Sequence, residues 1–285
     1  MKYLYYPGCS LEGTAMEYDI STRALFDVLG IELVEIDGWT CCGASAAEAQ
    51  SELLSIALPA RSLAIAESMG TSIGDILVPC SACYLNLRRA AEETRKDPDL
   101  LARVNQVLEP EGLKLQGQKR VRHLLDVLSN DIGAMGLAEH IHTTMARYLV
   151  APYYGCQCLR PYVVFDDPEA PTSMEPLILA TGAGVHGWHM ATKCCGASLM
   201  NIKPEVAQKM VAAILSGARG ADAIVTVCPM CQVNLEGYQG RISRSAHRDL
   251  HLPILYLPQF LGLAMGIDRR ALSLEMNLSN LSAFF

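Results

Sequence analysis

The feature that most constrains this chain is an internal repeat of three cysteine motifs. Tyr6-Pro7-Gly8-Cys9 is answered by Tyr154-Gly155-Cys156, and Cys41-Cys42-Gly43-Ala44-Ser45 by Cys194-Cys195-Gly196-Ala197-Ser198. The third block, Cys80-Ser81-Ala82-Cys83-Tyr84-Leu85-Asn86-Leu87, matches Cys228-Pro229-Met230-Cys231-Gln232-Val233-Asn234-Leu235. Beyond each C-x-x-C the agreement continues loosely, with Val121 to Leu128 opposite Ile254 to Leu261. Blocks recurring in one order divide the 285 residues into two units of about 140 each, an ordinary domain size. The expected cysteine-rich domains are residues 1–145 and 146–285.

Within each unit, short apolar runs alternate with segments of helical period. Lys2 to Tyr6, Ile31 to Ile36 and Ile76 to Val78 read as buried strands, and Ala15 to Leu29, Ala46 to Met69 and Leu85 to Arg95 as helices. The second unit repeats this, with strands near Leu149 to Tyr153, Val185 to His189 and Ala223 to Val227. Its helices fall near Met174 to Thr181, Glu205 to Leu215 and Val233 to Tyr238. Residues 96–145 carry a helix, a strand around Val121 and a helix from Leu124, which close the first unit. The alternation predicts an α/β fold of two similar Rossmann-like domains, each a parallel sheet covered by helices. Each single cysteine then follows a first strand, each Cys-Cys pair a second strand and each C-x-x-C a third. All three blocks meet at the carboxyl edge of one sheet, where open α/β folds place their ligands.

The chain has 11 cysteines. An odd count behind an N-terminus without a signal-peptide core argues against a disulfide framework and for a cytoplasmic protein using its thiols for metal or redox chemistry. A net charge of −7 disfavours a general nucleic-acid binder, which needs a basic surface to displace counterions from phosphate. Only 19% of residues are charged against 51% hydrophobic, which implies apolar surface covered by other subunits. No stretch is long enough to span a bilayer, so membrane association would run through partner subunits.

A lone C-x-x-C serves zinc, thioredoxin-like and iron–sulfur sites alike. Five cysteines per unit narrow the choice. Tetrahedral zinc takes four ligands and rarely two from adjacent residues, whose side chains diverge, although zinc in one unit stays open. A cubane cluster also takes four thiolates and leaves one over. Five suit a larger or irregular iron–sulfur assembly in which neighbouring cysteines reach different irons. Inert buried thiols account for one or two of the eleven, not for ten in register. Gly43 and Gly196 are expected to let the backbone approach such a core and to leave amides free for its sulfides.

Cys9, Cys41-Cys42-Gly43 and Cys80-x-x-Cys83, repeated as Cys156, Cys194-Cys195-Gly196 and Cys228-x-x-Cys231, resemble the duplicated cysteine-rich CCG domain of the heterodisulfide reductase B subunit family. The likeness covers nearly the whole chain, including Gln157, Arg160 and Pro161. It implies that Cys9, Cys41, Cys42, Cys80 and Cys83 hold one noncubane [4Fe-4S] cluster. Cys156, Cys194, Cys195, Cys228 and Cys231 would hold the other, the two facing each other across a substrate site. The implied activity is cleavage or formation of a disulfide, of the coenzyme M–coenzyme B type or another sulfur substrate. Cousins with this repeat serve as electron-transfer or anchor subunits in succinate:quinone and lactate or glycolate oxidoreductases. The implied partners are a ferredoxin-like C subunit and a flavin-containing A subunit, since no ferredoxin cysteine run is present here.

A disulfide takes up protons as well as electrons. His186 and His189, shortly before Cys194, are candidate donors, as are His123 and Tyr256 at matched places, although strand-end histidines are more often structural. Cys158 has no counterpart and reads as a silent thiol or a neighbour of the second cluster. Asp166-Asp167-Pro168-Glu169 is a cation chelator or, more commonly, a solvated turn. The tail from Asn277 to Phe285 is either a docking segment or a helix end packed on its own domain.

Overall fold

The computed structural model describes residues 1–70 and 74–282. The first half runs β1 (Lys2–Tyr5), α1 (Met16–Val28), β2 (Glu32–Glu35), α2 (Ala44–Gln50), α3 (Glu52–Ser68), β3 (Ile76–Val78), α4 (Ser81–Lys96) and α5 (Pro98–Leu108). It closes with β4 (Val121–His123), α6 (Leu124–Asp126), a π-helical stretch and α7 (Gly133–Ala138). The second half runs β5 (Leu149–Tyr153), α8 (Glu175–Ala180), β6 (Gly184–Val185), α9 (Pro204–Gly217), β7 (Ala223–Thr226) and α10 (Pro229–Gly237). It ends with α11 (Gln239–Ala246), β8 (Ile254–Tyr256) and α12 (Leu257–Ala264).

The strands form two four-stranded sheets of the same order, β2-β1-β3-β4 and β6-β5-β7-β8. Every pairing is parallel, as in Leu4 opposite Ile76, Ile76 opposite Val121, and Ile224 opposite Ile254. Helix-covered parallel strands are buried on both faces, which is why Ile76-Leu77-Val78 and Ile254-Leu255-Tyr256 are apolar without alternation. In each sheet the winding direction reverses between the first and third strands. The carboxyl ends of β1 with β3, and of β5 with β7, are therefore topological switch points.

Two expectations need correction. The segment from Ala46 to Met69 is two helices, because Ser51 leaves the helix and its side chain caps the Leu54 amide of the next one. The strand expected from Val185 to His189 stops at Val185. To continue alongside β5 it would need a donor from Pro152, which has no N–H, and the Pro152 carbonyl is instead taken by the Trp188 indole at 2.9 Å.

One core runs through both halves. Alternation along the strands sends Val150, Val225 and Leu255 into a cluster shared with Tyr5, Phe26 and Val78, while Ala151, Ile224 and Ile254 pack behind the second sheet. The helices complete this reciprocally: α12 packs on α1, and α7 on α8. Each half thus lends its last helix to the first helix of the other. At the junction the Tyr18 ring stacks on Tyr256 with centroids 4.0 Å apart. The Tyr18 hydroxyl lies 3.1 Å from the Pro79 carbonyl and 3.2 Å from that of Val227. Glu17, beside it, has its carboxyl pushed up to about 7 by burial, with repulsion from Glu236 of the second half adding to the shift.

Tyr18→Phe removes the shared hydroxyl and is expected to cost about 1–2 kcal/mol of unfolding free energy. Tyr18→Ala adds the cavity and is expected to cost about 3–5 kcal/mol; urea titration of both variants checks the order. Glu17 provides a pH test. Its folded value lies above the ordinary carboxyl value, so the unfolded chain ionises first and stability falls as pH rises from about 4.5 through 7. Glu17→Gln should flatten that fall when urea midpoints at pH 5 and pH 8 are compared with those of the parent chain.

Candidate functional site

The cysteines lie beyond the carboxyl ends of the strands, at both switch points. After β1 and β5 the chain turns through Gly8 and Gly155, with φ of +76° and +71°. A Cβ on Gly8 would fall 2.6 Å from the Cys83 sulfur, and one on Gly155 would fall 3.1 Å from the Cys231 sulfur. These glycines, rather than those after the Cys-Cys pairs, bring backbone against thiol. Gly43 and Gly196 also have positive φ, but a Cβ there would meet Ala47 at 2.6 Å and the Ala207 backbone at 3.0 Å, so helix packing is what demands them. The Gly196 amide does donate to the Cys194 sulfur, at 3.3 Å. Each C-x-x-C begins a helix, with Cys80 and Cys228 as N-caps of α4 and α10. The helix amides and dipole there favour thiolate.

The thiols associate in the same pattern twice. In the first half Cys9 and Cys41 are 3.5 Å apart, as are Cys42 and Cys83, and Cys83 also contacts Cys80. In the second half Cys156 meets Cys194, while Cys231 meets both Cys195 and Cys228. The two residues of each Cys-Cys pair therefore face different partners. Hydrogen bonds from neighbouring thiols pull Cys42, Cys194 and Cys228 below the ordinary thiol value, Cys194 with help from the Arg160 charge. The donors Cys83, Cys231 and Cys156 rise correspondingly.

Matched clamps hold these turns. Asn86 donates to the Cys42 and Ala44 carbonyls, both at 3.2 Å, and Asn234 donates to the Cys195 carbonyl at 3.1 Å. The Tyr6 hydroxyl donates to the Thr40 carbonyl at 2.5 Å, and Tyr153 donates to that of Lys193 at 2.6 Å. Thr40 and Lys193 directly precede the Cys-Cys pairs, so Tyr153, not Tyr154, is the structural counterpart of Tyr6. Tyr18 does the same for Pro79 and Val227, which precede the two C-x-x-C motifs. Sequence reasoning alone singled out none of these clamps. The signal was their recurrence at fixed offsets from the cysteines.

The second set lines a cavity of about 410 Å³ between the halves, walled on the other side by α2 and α4. All five second-half thiols reach it and no first-half thiol does; Cys9 and Cys41 open instead on a separate groove beside Glu12 and Trp39. The two sets thus line two separate openings. His189 lies in another depression with Met190 and Arg248, and His186 beside Gly220, so neither lines the thiol cavity. His123 is fully buried and pushed down to about 4 by that burial. It accepts from the Leu125 amide at 3.2 Å and approaches the Ser81 hydroxyl at 3.2 Å, a structural bridge rather than a source of protons. Tyr256 is buried in the stack with Tyr18. Cys158 is buried, donates to the Tyr154 carbonyl at 3.2 Å and is pushed up by burial and by the nearby Cys228, outside the pair-and-trio pattern of the other ten. Asp166 and Asp167 spend their carboxylates on their own loop amides, which makes that run a turn. The described part of the tail packs on its own half, with Ser279 donating to Glu236 at 2.6 Å; residues 283–285 lie outside the described residues.

Among the described residues no group of three or more His, Cys, Asp or Glu is arranged to hold a single metal ion. The thiols divide into a pair and a trio in each half, an all-sulfur donor set suited to a core of several irons. The close approach of Gly8 and Gly155 to the last thiol of each set suits the same bulky occupant.

The family model of the cysteine-rich domain named CCG matches residues 3–88 and again residues 150–236. The chain is 35% identical over 281 residues to the 8-methylmenaquinol:fumarate reductase membrane anchor subunit of Wolinella succinogenes, covering 97% of this chain and 96% of that protein. It is 30% identical to a protein of Archaeoglobus profundus named as like the B subunit of heterodisulfide reductase, covering 94% and 92% of the two chains. To the B subunit of the ferredoxin/F(420)H(2)-dependent CoB-CoM heterodisulfide reductase of Methanosarcina acetivorans it is 29% identical, over 97% of this chain and 93% of that one. A crystal structure of a hypothetical protein from Helicobacter pylori shares the fold, with a TM-score of 0.80 at 16% identity. It matches 99% of this chain, which spans about half (52%) of that longer protein. No helix among the described residues is long and apolar enough to cross a membrane. The chain belongs to the duplicated cysteine-rich CCG domain family that includes the B subunits of heterodisulfide reductases.

Proposed function

We propose that this chain is an iron–sulfur subunit of a multi-subunit oxidoreductase, with one noncubane [4Fe-4S] cluster on each five-cysteine set and a sulfur substrate taken at the second. The observation that carries this reading is the twice-repeated thiol pattern, in which adjacent cysteines turn to different partners. The clusters would supply one-electron transfers, two of which make or break one S–S bond. The protein's part is positioning. Asn86, Asn234, Tyr6 and Tyr153 hold the Cys-Cys turns, and the Gly196 amide and Arg160 offset negative charge on Cys194. The cavity takes a small substrate out of bulk water against the second set. Electrons would come from a ferredoxin-like C subunit, itself supplied by a flavin-containing A subunit. The Cys9 and Cys41 groove, open on its own side, suits exchange with such a partner.

A second reading is an electron-transfer and anchor subunit of a succinate:quinone or lactate/glycolate oxidoreductase. It is favoured by the 35% identity to the fumarate reductase anchor subunit.

Anaerobic purification with iron, sulfide and electron paramagnetic resonance analysis should find about eight irons per chain, two four-iron sets; zinc without iron overturns the proposal. Cys42→Ser and Cys195→Ser should each lose about half the iron and one of two signals. Cys158→Ala should change neither. Asn86→Ala and Asn234→Ala leave every thiol in place, yet should lower iron retention after gel filtration about twofold or more in the affected half. Unchanged retention and line shape would remove the amides as clamps.

A further inference from the structure

The cavity's walls carry a charge pattern that the cysteines do not explain. Opposite the second-half thiols, α4 presents Arg89, the one guanidinium among the described residues that line the cavity. It is already engaged twice, by Glu93 at 2.7 Å and Glu48 at 3.0 Å, and both carboxylates also line the cavity. The other cation near the thiols, Arg160, is tied to Glu169 at 3.1 Å and to the Thr192 carbonyl at 2.7 Å. In the cavity lining one guanidinium thus faces two carboxylates, and among the described residues no lysine or histidine joins them. The remaining wall is uncharged: Ala44, Ala82, Leu85, Pro161, Tyr162, Ala197 and Met230 are interrupted by the polar side chains of Asn86, Gln157 and Ser198.

We propose that this cavity selects an uncharged, largely apolar redox substrate and rejects polyanionic ones. The inference rests on the reading of the cavity as the substrate site and adds a charge class to it. An anion entering would meet net negative charge in a partly desolvated space, where both guanidinium groups are already engaged by carboxylates. A disulfide bearing sulfonate, phosphate or carboxylate groups would need Arg89 released from both its partners. An uncharged disulfide, or an uncharged quinone lying against Tyr162 and Leu85, needs no such release. Arg89 is accordingly a specificity residue held silent by Glu48 and Glu93.

The test is calorimetric titration of the full chain, as purified anaerobically, with two matched pairs of probes. Bis(2-hydroxyethyl) disulfide is set against dithiodiglycolate, and 2-methyl-1,4-naphthoquinone against 1,4-naphthoquinone-2-sulfonate. In at least one pair the neutral member should bind tenfold or more tightly than the anion. The double variant Glu48→Gln/Glu93→Gln, checked for native circular dichroism, should tighten the anion and narrow that ratio to threefold or less. Anions bound as tightly as their neutral partners in both pairs by the parent chain overturn the charge selection and leave the cavity as substrate site. Binding of no probe overturns both. A ratio unmoved by the double variant overturns the role given to Arg89 and its two carboxylates.

Discussion

The Tyr18 hydroxyl sits between two backbone carbonyls, those of Pro79 and Val227, which leave the third strand of each sheet just before the C-x-x-C motifs. A buried carbonyl without a partner costs about 1–3 kcal/mol. At a strand end where the chain must turn into a helix, neither ladder nor helix supplies one. A single phenol placed between the two halves shares its one proton between them. Ser81 adds a second donor to Val227 at 3.2 Å, and His123 lies against Ser81 at the same distance, so the junction extends to the end of β4. Any shift of one half against the other would strand these carbonyls and disturb both C-x-x-C turns together. The reciprocal packing of α12 on α1 and α7 on α8 holds that junction. The two thiol sets are coupled through backbone geometry even though they open on different sides.

Much of this was readable from residues alone, because the repeat ties motifs to strand ends and apolar runs mark the strands. Ile76 to Val78 and Leu149 to Tyr153 appear with the expected limits, since buried parallel strands need continuous apolar sequence. What escaped depended on contacts across long sequence separations. Asn86 reaches back to Cys42 and Tyr6 forward to Thr40, and no local pattern announces either bond. Pro7 before Gly8 has Tyr154 as its positional match, so the visible tyrosine of each block was the wrong pair until the hydrogen bonds set the register. The glycines mislead similarly: sequence shows that Gly43 and Gly196 recur, but only the neighbouring helices show which side of them is crowded. His186 and His189 looked close to Cys194 by count, yet the end of β6 at Val185 and the Trp188 bond to Pro152 carry them another way.

The halves depart from symmetry where the loop after the first strand differs. Between β1 and α1 the chain passes directly from Cys9 to Ala15, whereas between β5 and α8 a longer segment carries Pro161, Tyr162 and Phe165. Phe165 stacks on His123 with centroids 6.2 Å apart and meets the Tyr84 ring edge-on at 6.5 Å, anchoring the segment to the first half. Pro161 and Tyr162 then form part of the cavity wall beside the second set. The first set has no equivalent cover among the described residues, and Cys9 and Cys41 are exposed. The loop thus walls one side of the second set, although Cys194 stays exposed and Cys156 half-buried.

That division separates two kinds of information in the chain. The cysteines, Gly8 with Gly155, Asn86 with Asn234 and Tyr6 with Tyr153 are repeated, and they define what the thiol sets can hold. Glu48, Arg89 and Glu93 are not repeated: counted from the motifs, their places in the second half fall to Asn201, Gly237 and Arg241. The repeated groups sit in or against the cysteine turns, where any shift would move a thiol. Glu48, Arg89 and Glu93 face the cavity from α2 and α4 without holding a cysteine turn, unlike Asn86, also on α4. The part of the site that belongs to this chain's first half alone is therefore the charged wall of the cavity, Glu48, Arg89 and Glu93.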